Sequence, residues 1–399
     1  MYINGEWRTD GPTFPVFNPA TGQEIGQVAD GTDRDAVRAI EAAEAALPAC
    51  MAETAYVRSG LLYRAHHLML SQQRELAELM TQEQGKPLKA AMNEVKYAAD
   101  FLLWFAEEAK RVYGETIPSA RSDQRFLVQK QPIGVVAAVT PWNYPISMLT
   151  RKLGPALAAG CTVVLKPAES TPLCAIAVFN ILEEAGFPAG VANLVTASDP
   201  KPIGDVFCTH PVVRKLTFTG STAVGKHLAQ ASAPQLKRIS MELGGHAPFI
   251  VYDDADPVHA AKGVSLVKFL NTGQACISPN RIFVQRRILE PFLETLKSRV
   301  DALRAGDGMD PANGIGPLIN EAAVEKVDRQ VRDAIDKGAT LLAGGARLLD
   351  NGLEKGCFYS ATLLTDVAPD MLIYREETFG PVAGVVPFDD EDDVIAMAN

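Results

Sequence analysis

The chain has 399 residues, of which 47% are hydrophobic and 22% are charged. This is enough apolar material for more than one core, and about 100–200 residues per domain predicts two to four domains. A net charge of −10 excludes a nucleic-acid-binding surface, which needs clustered cations. No apolar run reaches the ~18 residues of a membrane span and no secretory signal is visible, so we expect no membrane partner. Six cysteines without Cys-x-x-Cys spacing indicate reduced thiols and a cytoplasmic location, and no His or Cys pattern indicates a metal site.

The first 115 residues are predicted to be mainly helical. Arg34–Leu47 is Ala-rich and amphipathic, and this helix is expected to end at Pro48. Glu53–Gln84 carries apolar residues at helical spacing, and Lys89–Tyr113 is predicted to be a third long helix. Pro118–Gln131 is polar, alternates in character and stops at a proline, which predicts a hairpin or arm.

After Ile133, short β-rich runs alternate with helical stretches. This alternation predicts right-handed βαβ crossovers and a mostly parallel sheet. The predicted strands are Val135–Val139, Thr162–Leu165, Ala192–Val195, Leu216–Thr219 and Phe249–Tyr252. The predicted helices between them are Ile146–Ala159, Leu173–Ala185 and Ala223–Ser232.

A second alternating set follows Asp256, so we predict a domain boundary near Gly244–Gly245. The acidic run Asp389–Asp393 is expected to cap a helix that starts at Val394, because carboxylates are favoured at helix N-termini. Since the sequence stops at Asn399, inside that helix, the last elements of this domain are expected to be missing. The predicted elements of the second set are a helix to Leu270, strand Ile282–Val284, helices Leu289–Leu303 and Glu321–Lys337, and strand Ala339–Leu342.

Two segments that close predicted strands carry residues suited to a nucleotide. Gly220 and Ser221 lie between a strand and a helix, and the free N–H groups of a helix N-terminus bind phosphate. An ordinary strand–turn–helix connection is the alternative there. Lys166 and Glu169 close another strand and could hold ribose hydroxyls, the alternative being a solvated loop with two charges.

Four further segments carry candidate reaction chemistry. Cys276 follows a turn at Gly273 and is a candidate nucleophile, the alternative being an inert structural thiol. Glu242 lies in apolar sequence, where desolvation is expected to make it a usable general base; the alternative is a salt bridge at a domain joint. Asn143 could donate to a developing oxyanion or be a structural turn residue. Glu376–Pro381 could present side chains to a ligand or form an ordinary Gly-Pro turn.

In this order and spacing, these segments resemble the NAD(P)-dependent aldehyde dehydrogenase superfamily over essentially the whole chain. Thr150–Lys152 and Gly160–Leu165 are most similar to its succinate-semialdehyde dehydrogenase branch. The segments that carry the resemblance are Asn4–Trp7, Asn18–Gly22, Pro141–Asn143, Lys166–Glu169, Phe218–Ser221, Glu242–Gly245, Gly273–Cys276 and Glu377–Pro381.

The resemblance implies an α/β fold with a Rossmann-type parallel-sheet cofactor domain, an α/β catalytic domain and a β-hairpin oligomerisation arm. It places the NAD-binding domain at residues 1–117 and 133–244, and the arm at 118–132. The catalytic domain would occupy 245–399, apparently without its C-terminal part. A homo-oligomer, dimer or tetramer, is implied for the full-length form.

The resemblance also assigns roles to individual residues. Cys276 would attack the aldehyde, the Asn143 amide and the Cys276 backbone N–H would hold the oxyanion, and Glu242 would activate water to hydrolyse the thioester. Arg151 would lie at the mouth of the aldehyde tunnel and bind a substrate carboxylate, the alternative being an Arg that faces solvent or pairs with a nearby acid. The implied cofactor contacts are Trp142, Lys166, Glu169, Gly220, Ser221, Leu243, Glu377 and Phe379.

The implied function is NAD-dependent oxidation of a small anionic aldehyde such as succinate semialdehyde, with NADP also possible. A carboxylate at Glu169 repels a 2′-phosphate, whereas relatives that prefer NADP commonly have a small residue there.

Two positions depart from the branch. Leu270 replaces an Arg that binds the substrate carboxylate, and Ser278 replaces a redox-partner Cys. The alternatives are a catalytically silent nucleotide-binding relative, an enzyme for neutral aldehydes, and a CoA-acylating dehydrogenase, against which Glu242 argues.

Overall fold

The structure is a computed structural model that describes residues 1–399. The chain divides into two compact units. The first unit comprises Met1–Val16, Ile25–Leu79 and Met92–Leu243, and the second comprises Phe17–Glu24, Met80–Ala91 and Gly244–Asn399. None of the helices combines the length and the apolar character that a membrane span requires.

The first unit is built on a seven-stranded sheet. Across the sheet its strands are β11 (Arg238–Glu242), β10 (Val213–Thr219), β7 (Val135–Val139), β8 (Thr162–Lys166), β9 (Ala192–Leu194), β1 (Tyr2–Ile3) and β2 (Glu6–Trp7). The five strands from β11 to β9 run parallel, and β1 pairs antiparallel with β9 and β2. Strands β7 and β8 are buried on both faces, which explains their continuous apolar sequences.

Helices cover this sheet and complete its core. Helix α1 packs against β8, β9 and α7, and contributes Ala36, Ala39 and Ile40 to the main apolar cluster. The helices that lie wholly or partly in this unit are α1 (Asp33–Ala52), α2 (Ala55–Ser71), α3 (Gln73–Gln84), α4 (Leu88–Ala109), α5 (Ser147–Ala158), α6 (Pro172–Glu184), α7 (Lys201–Thr209) and α8 (Thr222–Ser232). Two small two-stranded sheets pair β3 (Thr13–Phe17) with β4 (Glu24–Ala29), and β5 (Glu115–Ile117) with β6 (Phe126–Val128).

The second unit is built on a five-stranded sheet. Its strands, in spatial order, are β12 (Pro248–Val251), β13 (Arg281–Gln285), β16 (Val382–Phe388), β15 (Thr362–Thr365) and β14 (Thr340–Ala343). The first four run parallel and β14 is antiparallel to β15. Its helices are α9 (Pro257–Lys268), α10 (Leu289–Asp301), α11 (Glu321–Asp336), α12 (Leu372–Arg375) and α13 (Glu391–Ala398).

The predicted α/β class with parallel sheets is confirmed, and so is the mainly helical character of the first 115 residues, most of which lie in α1–α4. The strands near the N-terminus were not expected. Residues 2–29 contain four strands. Pro48 lies inside α1 and does not end it. Proline has no N–H to donate to the carbonyl of Glu44, but Glu44 is exposed. Ala43 and Cys50 are buried and hold the other face of the helix. The stretch predicted as one helix over 53–84 is two helices that meet at Gln72.

Other predicted boundaries also shift. Helix α4 ends at Ala109 rather than at Tyr113, and the hairpin strands begin at Glu115, three residues before the predicted arm. Asp390 caps α13 by accepting the Asp393 N–H at 3.0 Å, so the acidic run does cap a helix, which starts at Glu391 rather than at Val394. Apart from β1–β4, the elements absent from the sequence prediction are α7, β11, β15, α12 and β16.

Candidate active site

Four adjacent parallel strands of the first unit end at one edge of the sheet. Val139 of β7 lies opposite Lys166 of β8 and Phe218 of β10, and Thr219 of β10 lies opposite Glu242 of β11. The chain builds outward from β7 to β8 and β9, then returns to the other side of β7 with β10. This reversal is a topological switch point, and open α/β sheets bind ligands outside the strand ends at such a point.

The loop after β7 carries Trp142 and Asn143. Its start is fixed because the Thr140 N–H donates to the Lys166 carbonyl at 3.1 Å. Asn143 is only 5% exposed, and Trp142 is half-buried. The loop therefore holds Asn143 inside the unit, at the edge where the strands end.

The two charged residues after β8 have different surroundings. Lys166 is 2% exposed and donates to the Pro167 carbonyl at 2.7 Å, whereas the Glu169 side chain is 46% exposed and lies 3.5 Å from the Lys166 ammonium. Burial lowers the pKa of Lys166, and the charge of Glu169 opposes that change. The alternative of a solvated loop is therefore wrong for Lys166 and holds only for Glu169.

The turn after β10 leads directly into a helix N-terminus. The Gly220 N–H donates to the Glu242 carbonyl at 3.0 Å, and the Ser221 hydroxyl caps α8 by accepting the Val224 N–H at 3.4 Å. A Cβ atom on Gly220 would lie 2.5 Å from the Phe218 ring. A larger residue at position 220 would therefore have to displace the end of the Phe218 side chain.

Glu242 ends β11, an edge strand, and its side chain is exposed. The expected burial of Glu242 is therefore wrong, and its role as a general base stays a prediction. The adjacent Leu243 packs against α8, where a Cβ on Gly225 would lie 2.3 Å from Leu243 Cδ2.

Lys152 donates to Thr217 Oγ1 at 2.9 Å, and its pKa falls to about 8 because it is buried.

Arg151 lies on α5 and is held by aromatic residues of α4. Its Nη2 donates to the Tyr97 hydroxyl at 3.1 Å, and its guanidinium lies 5.0 Å from the centre of the Phe101 ring. The side chain is half-buried and makes no ion pair with an acid. Of the two alternatives for Arg151, pairing with a nearby acid is therefore wrong.

In the second unit, Cys276 follows three consecutive residues with left-handed backbone angles. Asn271, Thr272 and Gly273 have φ values of +50°, +59° and +73°. A Cβ on Gly273 would lie 2.0 Å from the Gly380 carbonyl oxygen. The loop that presents the half-buried Cys276 thus lies against the loop that contains Glu377 and Phe379.

Buried polar side chains that were not among the predicted site residues hold the Cys276 loop. Thr272 Oγ1 accepts the Gly316 N–H at 3.0 Å, and Gln274 Oε1 accepts the Ile319 N–H at 3.0 Å. Gln274 Nε2 also donates to the Pro317 carbonyl at 3.3 Å. A run of polar residues beside a candidate nucleophile is the sequence signal that could have indicated such a network.

Glu377 lies on a loop that is tied to the Gly244–Gly245 turn. The Gly245 N–H donates to Glu377 Oε1 at 3.4 Å, and Asn280 links the same segments through the Gly245 carbonyl and the Thr378 N–H. Lys268 is fully buried and its ammonium makes no hydrogen bond. Burial lowers the pKa of Lys268 to about 7, and the charge of Glu377 opposes that change.

The structure thus brings the candidate residues together in two sets, one in each unit. Those of the first unit lie at neighbouring strand ends, with Arg151 on the following helix. Those of the second unit lie on adjoining loops. The members of the first set are Trp142, Asn143, Arg151, Lys166, Glu169, Gly220, Ser221, Glu242 and Leu243, and those of the second are Cys276, Glu377 and Phe379.

Comparison with known proteins gives a consistent result. The aldehyde dehydrogenase family profile matches residues 7–399. A probable succinate-semialdehyde dehydrogenase [NADP(+)] of Sinorhizobium fredii is 51% identical over 97% of this chain and 78% of its own length. A glutarate-semialdehyde dehydrogenase of Pseudomonas putida is 50% identical over 100% of this chain and 82% of its own.

Solved structures agree with the sequence matches. The crystal structure of an E. coli NADP-dependent enzyme superposes with a TM-score of 0.97 at 48% identity, covering 100% of this chain and 82% of that one. The similarity therefore extends over both units of the fold. The chain belongs to the aldehyde dehydrogenase family, and is an oxidoreductase that acts on aldehydes.

Proposed function

We propose that the chain oxidises a small anionic aldehyde, of the size of succinate semialdehyde, to the carboxylate. The observation that carries this proposal is the state of Arg151. Its guanidinium is held against Tyr97 and Phe101 but is not neutralised by an acid. An Arg fork in this state binds a carboxylate through two parallel hydrogen bonds. The names of the two semialdehyde dehydrogenases that resemble the chain support the same substrate class.

The proposed chemistry uses one residue for each task. The Cys276 thiolate attacks the aldehyde carbon, and the resulting oxyanion accepts hydrogen bonds from the Asn143 amide and the Cys276 backbone N–H. The tetrahedral adduct then loses a hydride, which a bound oxidised cofactor would accept, and a thioester remains on Cys276. Glu242 takes a proton from the water that hydrolyses this thioester, which releases the carboxylate and the free thiol.

The residues of the first unit fit a dinucleotide. The N-terminus of α8 offers unpaired N–H groups after the Gly220–Ser221 turn, and it lies beside a switch point. After the end of β8, which is separated from β10 by β7, Lys166 offers a buried ammonium and Glu169 an exposed carboxylate. When bound, the cofactor accepts the hydride. In the second unit, Glu377 offers a carboxylate for the nicotinamide ribose, with Phe379 beside it.

We propose a preference for NAD over NADP. Carboxylate oxygens accept hydrogen bonds from ribose hydroxyls and repel a 2′-phosphate, and the Glu169 carboxylate lies 3.5 Å from Lys166. In Glu169→Ser, kcat/KM with NADP should rise relative to NAD by at least about 10-fold, the size of one charge interaction of ~1.4 kcal/mol. Equal kcat/KM values for both cofactors in the unmodified chain would contradict this preference.

The reaction is tested by separating its two steps. Cys276→Ala should abolish turnover and covalent acylation, because no other residue is proposed to carry the acyl group. Glu242→Gln should still be acylated, and mass spectrometry should find the acyl adduct on Cys276. If the adduct in Glu242→Gln hydrolyses at the unmodified rate, Glu242 is not the base. If CoA is needed for product release, the chain is a CoA-acylating enzyme instead.

The substrate class is tested with a matched pair of aldehydes. A charge-assisted pair contributes ~1.5–3 kcal/mol, so Arg151→Ala should raise KM for succinate semialdehyde by roughly 10- to 150-fold. KM for pentanal, which lacks the carboxylate, should change little. A second variant, Tyr97→Phe, removes only the hydroxyl that holds Arg151 and should give a smaller rise for the anionic substrate. Equal effects of Arg151→Ala on both aldehydes would favour a neutral natural substrate.

We also propose that the residues divide by task, with cofactor binding at 1–117 and 133–244 and catalysis at 245–399.

The β5–β6 hairpin, at the predicted arm, presents four exposed apolar side chains, namely Ile117, Phe126, Leu127 and Val128. Such a hairpin suits pairing between copies of the chain. Leu127→Asp should lower the mass measured by sedimentation if the chain assembles through this hairpin, and an unchanged mass would contradict that.

A further inference from the structure

The N-terminus of α5 is capped by a residue of another helix. Its own N-cap residue, Ile146, provides no side-chain hydrogen bond. Instead, Glu94 of α4 accepts the N–H groups of Ile146 and Ser147 through one carboxylate oxygen, each at 3.1 Å, and the Ser147 hydroxyl at 3.4 Å. Glu94 is 4% exposed. A carboxylate at this place satisfies unpaired N–H groups and complements the positive end of the helix.

The rest of the same α4 face also contacts α5. Tyr97 and Phe101 follow Glu94 at positions i+3 and i+7, which lie on one side of a helix. Both hold Arg151, as described above. One turn further, a Cβ on Gly154 would lie 2.9 Å from Phe105 Cδ2, so the two helices approach closely there. Glu94 is thus the first contact of a continuous seam that fixes α5 along α4.

This seam determines where the Asn143 loop ends. The loop begins at Thr140, which is fixed to β8. It ends in the first turn of α5, where the Met148 N–H donates to the Tyr144 carbonyl at 3.0 Å. Between Thr140 and Tyr144, whose carbonyl is tied to the first turn of α5, lie three residues, Asn143 among them. A displacement of the α5 N-terminus would therefore move Asn143 directly.

We propose that Glu94 is a positioning residue that holds the Asn143 amide in its place for the oxyanion by capping α5 from α4. This inference rests on the proposed function, in which Asn143 is the oxyanion donor. Loss of the carboxylate leaves two buried N–H groups without acceptors, and α5 can recover hydrogen bonds only by moving. A misplaced donor slows the chemistry without weakening aldehyde binding.

The test is a double-mutant cycle read by single-turnover formation of the reduced cofactor at saturating succinate semialdehyde. Asn143→Ala should slow this step by roughly 100-fold or more, as expected for loss of an oxyanion donor. Glu94→Ala should slow it by about 10-fold, with aldehyde KM within about 2-fold of the unmodified value. In the double variant, Glu94→Ala should lower the single-turnover rate by less than about 2-fold beyond Asn143→Ala, because both changes remove the same function. Multiplication of the two losses would overturn the positioning role.

Two further variants separate positioning from general damage. Glu94→Gln keeps an acceptor oxygen of the same size and should recover the rate to within about 3-fold, whereas a rate as low as that of Glu94→Ala would contradict the hydrogen-bond account. Asp35→Ala is the matched control, since Asp35 caps α1 in the same unit by accepting the Thr32 N–H and hydroxyl at 3.0 Å. It should lower Tm but leave the single-turnover rate unchanged. An equal rate loss in Asp35→Ala would overturn the proposal.

The cycle also distinguishes the two levels of inference. An unmodified rate in Asn143→Ala contradicts the proposed oxyanion role of Asn143, and the positioning role with it. A large loss in Asn143→Ala combined with an independent loss in Glu94→Ala contradicts the positioning role alone.

Discussion

In the first unit most candidate residues lie at or just after the ends of four regular parallel strands, whereas in the second they lie on irregular loops. The strand-end residues are set by the backbone ladder, as in the pairing of Val139 with Lys166. The Cys276 loop is instead set by buried side chains such as Gln274 and by the close approach of Gly273 to Gly380. The difference teaches that the fold of a loop site depends on individual side chains, whereas the positions of strand ends are set by the backbone ladder.

The largest expected effect is at Gly273. An added methyl meets the Gly380 carbonyl oxygen at 2.0 Å, and the φ of +73° is itself unfavourable for alanine. Because backbone must move, Gly273→Ala should destabilise the chain by about 3 kcal/mol or more and abolish turnover. In Gly225→Ala of the first unit the obstacle is only the end of the Leu243 side chain, so the loss should be at most ~1 kcal/mol.

Thermal and denaturant unfolding measure both variants. Gly263→Ala in α9 is the control, because nothing lies within 4 Å of the added methyl and alanine favours a helix. If Gly225→Ala destabilises the chain as strongly as Gly273→Ala, the two units do not differ in this respect.

The next effect is expected at Gln274. Gln274→Ala leaves the Ile319 N–H and the Pro317 carbonyl without their partners, and each unsatisfied buried group costs ~1–3 kcal/mol. The loss should be about 3 kcal/mol, together with slower acylation of Cys276. Urea unfolding measures the first quantity, and the rate of aldehyde-dependent acylation the second. A loss below about 1 kcal/mol would mean that water or neighbouring groups replace the amide.

A pH-dependent effect is expected at Lys268. Its pKa of about 7 in the folded chain lies below the ordinary 10.5, so the unfolded chain binds more protons between these values. Stability relative to Lys268→Met should therefore rise as pH increases from 7 towards 10.5, by at most ~1.4 kcal/mol per pH unit. Lys152 has a pKa of about 8 and a hydrogen bond to Thr217, so the pH range over which its contribution to stability changes should be narrower.

Unfolding free energies of both Met variants across this pH range provide the measurement. A difference between Lys268→Met and the unmodified chain that does not vary with pH would show that Lys268 keeps its ordinary pKa.

The smallest effect is expected at Ser221. Its hydroxyl caps α8 through a single 3.4 Å hydrogen bond, and loss of such a cap costs ~1 kcal/mol. Ser221→Ala should therefore lower stability by about that amount, and KM for the cofactor should rise only modestly. An effect as large as that of Gln274→Ala would show that the strand ends also depend on single side chains.

Several features of the fold followed from local sequence patterns. Continuous apolar runs predicted β7 and β8 closely, because strands buried on both faces have no polar alternation. Strand β11, with the sequence Arg-Ile-Ser-Met-Glu, was missed because an exposed edge strand has no such signal. The same exposure removed the desolvation expected at Glu242.

The sequence by itself determined the alternation of strands and helices, the order of the motifs and the identity of the candidate residues. The alternation depends on residues that are close along the chain, so propensity and spacing suffice to predict it. The candidate residues were identified by the resemblance of their motifs to the aldehyde dehydrogenase family. Only the tertiary structure decided that Lys166 and Lys268 are buried, that Gly273 lies against Gly380, and that Glu94 caps α5. Burial and hydrogen-bond partners depend on residues tens to a hundred positions apart, and that pairing exists only once the chain has packed.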